Sequence, residues 1–233
     1  MEQQLDNPVW HALVGPQAGL ALGAGKARHF PRALVPFSAV SEATPDAYRD
    51  LAVDLPQGLE ARLFRPSEEA APTGWGVVSA RPILQMIVES SGSLASHPAE
   101  NRLVTLGTAD HADMLALAEA AKPGPFSDRA PELGRYAGVR DATGRLIAMA
   151  GERLHLAGYV ELSGICVAAD ARGQGFGAAL TLQLARMALA RGEAPFLHVF
   201  PDNPAAALYA QLGFRIRTRL WVLWHRLIVG GAA

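Results

Sequence analysis

The stretch RGQGFGA (172–178) decides how this chain is read. Gly173, Gly175 and Gly177 alternate with other residues, behind Arg172 and ahead of an Ala- and Leu-rich run. Glycine adopts positive φ and carries no Cβ, so successive backbone N–H groups can converge on one anion. At a helix N-terminus the macrodipole adds to the attraction. A plain helix entry eased by glycine is the competing reading. Two other phosphate loops are excluded. The dinucleotide fingerprint is G-x-G-x-x-G whereas this run is G-x-G-x-G, and the nucleoside triphosphate loop requires a Lys after its last glycine. GLALGAGKA (19–27) fails the same test, with Leu20 in place of the opening glycine and Ala27 after Lys26.

Working outward, YVELSGICVA (159–168) reads as a strand, a helix runs from about 175 to 191, and FLHVF (196–200) reads as a second strand. Strand, loop, helix and strand make a crossover unit with parallel strands, whose ligands gather at the strands' carboxyl ends, where the glycines lie. Leu180, Leu184, Met187 and Arg191 follow helical spacing, which predicts an apolar stripe facing a sheet and a solvated end. Upstream are a strand (101–107), a helix (108–122), a Pro/Gly-rich loop (122–134) and a hairpin (136–154) turning at DATG (141–144). Downstream lie a short helix (204–212) and a final strand-like run, FRIRTRLWVLWHRLIV (214–229). The fold class expected is α/β with a mixed sheet.

Residues 1–95 read as a smaller α/β unit, with a helix over 44–55 capped by Thr44 and opened by Pro45, and strands at 59–65 and 83–89. SSGSLASHPAEN (90–101) has the composition of a linker, so a boundary is expected there, with the second domain over 101–233. Half of the 233 residues are apolar and 18% are charged, a balance suited to a packed globular fold. The net charge of −1 offers no general attraction for nucleic acid or an acidic membrane surface. Cys166, alone, cannot form an internal disulfide, and the N-terminus lacks the basic and apolar segments of a secretory signal; both point to the cytoplasm. The seven histidines form no H-x-x-x-H or Cys/His cluster, so no metal is expected.

Arg172-x-x-Gly175-x-Gly177 matches [Q/R]-x-x-G-x-[G/A], and here the chain resembles the GNAT superfamily of acyl-CoA-dependent N-acetyltransferases. FPDNPAAALYAQLGF (200–214) is similar to that family's second signature, and the order of elements agrees over about 101–229. The resemblance implies acetyl-CoA as acyl donor. Its pyrophosphate would sit on Arg172, Gly173, Gln174, Gly175, Phe176, Gly177 and Ala178, and its pantetheine arm between two strands that splay apart. Ile165, Cys166 and Val167 would offer backbone hydrogen bonds, and Asn203 would contact the cofactor as well as cap the short helix before Pro204. By analogy, residues 1–95 would be a degenerate copy of the same fold that walls the acceptor cleft.

An alkyl amine with a pKa near ~10 must lose a proton before it attacks a carbonyl, so a base is required. Glu161, eleven residues ahead of Arg172, matches the position of the glutamate base, and burial in an apolar strand would raise its pKa. A hydrogen-bonded strand glutamate is the alternative. Tyr209 matches the acid that protonates the departing thiolate; a packed ring is its alternative. Cys166 reads as core, His198 as a satisfied strand residue, and Arg215, Arg217 and Arg219 as one solvated face. The 122–134 loop, Trp221 and Trp224 are expected to border the acceptor site. These readings amount to direct acetyl transfer to a small-molecule or peptide amine. A non-catalytic acyl-CoA-binding or regulatory module is the alternative, and an exposed final strand makes a second copy of the chain a candidate partner.

Overall fold

A computed structural model describes residues 2–55, 58–90, 92 and 94–228. At its centre, β8 (Tyr159–Val167) leads through the glycine loop into α4 (Phe176–Ala190) and back along β9 (Ala194–Val199). The two strands are parallel and pair only at Tyr159↔Ala194, Val160↔Pro195 and Glu161↔Phe196. Beyond Glu161 they part, which is the expected splay.

β5 (Val104–Leu106), β6 (Tyr136–Arg140) and β7 (Leu146–Leu156) extend the sheet on the β8 side by antiparallel pairing. Asp141 closes the β6–β7 hairpin by accepting from the N–H groups of Thr143 and Arg145, the local chemistry that makes DATG a turn. On the other side lie β4 (Trp75–Ile87), β10 (Arg215–Leu227) and β3 (Glu60–Arg65), giving one eight-stranded sheet in the order β3-β10-β4-β9-β8-β7-β6-β5. A two-stranded ribbon of β1 (Ala27–His29) and β2 (Ser38–Val40) stands apart from it.

This order corrects the expected boundary at 90–101. β10 returns from the C-terminal half to pair with both β3 and β4, so strands from residues 60–87 and 215–227 share one hydrogen-bond network. The later part of the segment is pinned: His97 caps a 3-10 turn over Pro98–Arg102, whose Glu100 is ion-paired to Arg186 of α4. Ser91 and Ser93 lie outside the described residues, as does Val229 at the expected end of the last strand. Nor do residues 1–95 form a second copy of the acetyltransferase unit: among the described residues the only parallel pair is β8 with β9. β10 also lies between β4 and β3, and β3 covers its outer edge from Trp221 to Arg226, so the final strand is not the fully exposed edge expected.

Each face of the sheet has its own core. α3 (His111–Ala121) and α4 cover one, burying Met114, Leu180 and Leu184 against Met149, Leu162 and Leu197. α1 (Pro8–Leu13) and the chain to residue 39 cover the other, with Leu5, Val9 and Phe30 in one cluster with Leu154, Phe196 and Leu220. At about 1.5–3 kcal/mol for each large side chain removed from water, Leu5, Val9 and Phe30 make that second face a sizeable contribution of the N-terminal chain to stability, beside a third cluster around Tyr48, Leu51 and Leu63. α2 (Pro45–Asp54) starts as expected, with Thr44 Oγ1 accepting from the N–H of Ala47. On α4 the buried stripe runs through Thr181, Ala185 and Ala188 beside Leu180 and Leu184, and Met187 is exposed, contrary to expectation. The arginine face of β10 is also broken. A register shift between Ile216 and Thr218 turns Arg217 inward, where its guanidinium meets Gln85 and Asp6, while Arg215 and Arg219 stay outside.

Candidate active site

A cavity of about 450 Å³ opens where β8 and β9 separate. It runs from Arg172 and Gly177 at the glycine loop, past Ile165, Cys166 and Val167, to Phe37, Phe64 and Trp224 on the far side. Two features of the backbone create it. Gly164, at φ +63°, sits in a bulge where β8 inserts one extra residue against β7 between Ser163 and Cys166. β9 meanwhile turns its pairing to β4, through Phe196↔Ile87 to Val199↔Leu84.

At the donor end Gly173 and Gly175 adopt φ of +77° and +78°, which L side chains rarely reach. A Cβ on Gly175 would also lie 2.4 Å from the His97 ring. Gly177 differs: its φ is ordinary, a Cβ there would meet only Val167 at 3.8 Å, and the residue lines the cavity. The space beside it is therefore not demanded by the protein's own packing. In the first turn of α4 Phe176 packs into the core and Ala178 is buried, so only their N–H groups remain for a ligand, and Gln174 is exposed. α5 (Ala205–Gln211) begins just after Asn203, whose Oδ1 accepts from the Ala205 N–H at 2.9 Å, as its capping role requires; Asn203 also lines the cavity. These groups fit a diphosphate followed by a narrow extended arm.

Tyr209 of α5 lines the cavity, and burial pushes its phenol up to about 12, so it is neutral and carries its proton at neutral pH. Burial likewise pushes the Cys166 thiol up to about 12, which disqualifies it as a nucleophile and agrees with the core reading.

Glu161 departs from the expectation. It is fully buried, and burial alone would push its carboxyl up, but Arg153 and His198 outweigh that and hold it at about 2. Arg153 donates from Nε and Nη2 to its two oxygens at 2.8 and 2.7 Å, and His198 Nδ1 lies 2.7 Å from Oε1. A carboxylate so stabilised is too weak a base to deprotonate an ammonium, and Glu161 does not itself line the cavity, whereas Ser163 and Ile165 do.

His198 lines the cavity in its stead. Gln85 Oε1 accepts from Arg217 Nε at 2.5 Å and Gln85 Nε2 donates to the Leu5 carbonyl at 2.9 Å, which sets the amide's orientation. Its second N–H then points to His198 Nε2 at 3.1 Å, so the network assigns the ring proton to Nδ1, facing Glu161. Arg153, Gln85 and the hydrogen-bonded setting of His198 escaped the sequence reading. The available signal was polar residues among the apolar ones of three strands, Arg153 and His155 in RLHL (153–156), Gln85 in LQMI (84–87) and His198 in FLHV (196–199), since buried polar groups need partners.

Phe37, Phe64, Ile83, Val222 and Trp224 wall the end away from the glycine loop, and Lys122 to Pro125 of the expected loop line the same cavity. Trp221 does not line it. Among the described residues no group of three or more His, Cys, Asp or Glu could hold a metal ion, and no helix is long and apolar enough to cross a membrane.

The FR47-like protein family model matches residues 136–222, the span from β6 into β10 that builds the donor end. No curated protein matches the chain. Among solved structures, a GNAT-family protein from Novosphingobium aromaticivorans DSM 12444 is 36% identical over 96% of this chain and 98% of its own, with a TM-score of 0.87. A GCN5-related N-acetyltransferase from Kribbella flavida is 23% identical over 95% of this chain and 96% of its own, at a TM-score of 0.61, a likeness of fold. With a splayed strand pair, a glycine loop at its mouth and a relative this similar over its whole length, the chain belongs to the GNAT acetyltransferase family.

Proposed function

We propose that the protein transfers an acetyl group from acetyl-CoA directly to a primary amine. The observation that carries this reading is the continuity of one cavity from the glycine loop, between the unpaired edges of β8 and β9, to an aromatic chamber on the other side of the sheet. A donor entering from the loop and an acceptor entering from the chamber meet beside His198 and Tyr209. There the amine nitrogen bonds to the thioester carbonyl carbon as the carbon–sulfur bond breaks, the amine losing one proton and the thiolate gaining one.

The chain's residues supply both proton movements. His198, which lines the cavity and is held in the Nδ1–H tautomer, offers Nε2 to the amine's proton once the Gln85 amide yields it. Glu161 acts from behind, orienting the ring and stabilising the imidazolium. Tyr209 is the acid for the thiolate. A backbone N–H of β8 near Cys166, beside the bulge at Gly164, would donate to the developing oxyanion.

Free-thiol release tests the proposal: protein, acetyl-CoA and a panel of amines should yield CoA thiol in proportion to acetylated amine. Binding of CoA without thiol release from any amine would leave an acyl-CoA-binding module instead.

A further inference from the structure

The cavity as a whole is lined by cations and no anions. Arg62, Lys122, Arg153 and Arg172 line the cavity, and no Asp or Glu does. Arg172 belongs to the donor end, and Arg153 is neutralised by Glu161. Arg62 is different. Its guanidinium lies over the Trp224 ring at 4.2 Å, its Nε is buried without a partner, and the nearest carboxylate, Glu60, is 3.7 Å away. Glu60 is moreover committed to Arg226 at 2.8 Å, so two guanidiniums share its carboxylate, while Arg32 donates to the Glu60 backbone carbonyl at 3.0 Å and brings a third positive charge close by. The Arg32 guanidinium is held below its ordinary value by burial and by Arg62, as an excess of positive charge would do.

Resting on the transferase reading, we infer that the acceptor is an amino acid with an apolar side chain, its carboxylate held by Arg62 and its body by the aromatic walls. Arg62 and Phe64 lie two residues apart on one face of β3, roughly 7 Å along the strand, and the Phe64 ring is 4.7 Å from that of His198. One small molecule therefore spans from Arg62 to His198, its amine at the imidazole and its carboxylate at the guanidinium. A polyamine, or a lysine flanked by other cations, would place positive charge in a chamber that has no carboxylate to receive it.

The test measures thiol release with acetyl-CoA and phenylalanine, leucine or methionine, each against its own carboxamide, and against spermidine. The amides carry the less basic amine, so chemistry alone favours them. The expected result is a kcat/KM higher for at least one free acid than for its amide by roughly 10- to 100-fold, the worth of a charge-assisted hydrogen bond. Arg62→Met should raise KM for that acid and collapse the ratio, with CoA affinity unchanged; Arg62→Lys, checked for the same melting temperature, should retain part of the preference. Amides or spermidine matching or exceeding the acids would overturn the inference and leave acetyl transfer standing. Absence of thiol release with every amine tried, despite calorimetric binding of CoA, would remove the transferase reading and the inference together.

Discussion

The two ends of the cavity are built in different ways. The donor end is made by neighbours in sequence, residues 165–177 and 199–209, and works through backbone: positive-φ glycines, freed N–H groups, a bulge and a helix start. The acceptor end is made by side chains from Phe37, Arg62, Ile83, Arg153, His198 and Trp224, which the sheet order brings together across most of the chain. A loop of fixed geometry serves one ligand whose chemistry does not change. A chamber assembled from separate strands can be altered one side chain at a time without disturbing that loop.

If the contrast is right, substitutions at the two ends fail differently. The largest effect is expected at Glu161→Gln, which leaves Arg153 buried without its counter-charge. Stability should fall by about 3–5 kcal/mol in denaturant titrations, and turnover with it. Adding Arg153→Met should restore much of the stability but not the turnover, and recovery of both would make the pair purely structural. The same carboxylate sets an acid limit. Its carboxyl lies at about 2 in the folded chain against an ordinary 4.5, so its contribution is complete above about pH 4.5 and is lost as the pH falls towards 2. The stability gap between the native chain and Glu161→Gln should close over that interval; a constant gap would contradict the ion pair.

Next in size is Tyr209→Phe, which keeps the packed ring and removes the acid. The expected outcome in steady-state assays is a kcat lower by roughly 10²-fold, with CoA affinity and melting temperature little changed. Smallest is Asn203→Ala, a cap loss of about 1 kcal/mol in stability with CoA affinity down by less than about tenfold; a much larger loss of affinity would move Asn203 from capping to recognition.

The same contrast explains what the sequence disclosed. Local rules placed Gly173 and Gly175, the strand before them, the helix after them and the Asn203 cap, because each depends on residues a few positions away. Glu161 was placed in the right strand with the wrong electrostatics: its pKa depends on Arg153, which reaches it across the β7–β8 pairing, and on His198 in β9, and no local pattern reports either. The domain boundary failed for a similar reason. That β10 lies between β3 and β4 is a fact of topology, and the linker-like composition of 90–101 carries no trace of it. A register shift of one residue likewise turned Arg217 from the expected solvated face into the polar network behind His198.

The central claim is that the space beside the glycine loop is kept open for the diphosphate of CoA. Gly177→Val is the direct probe, since valine is acceptable in a helix, the backbone φ is ordinary and a Cβ would meet only Val167, at 3.8 Å. Calorimetric titration with CoA should give one site per native chain and no measurable heat for Gly177→Val at an unchanged melting temperature. Equal binding by the two proteins would contradict the account.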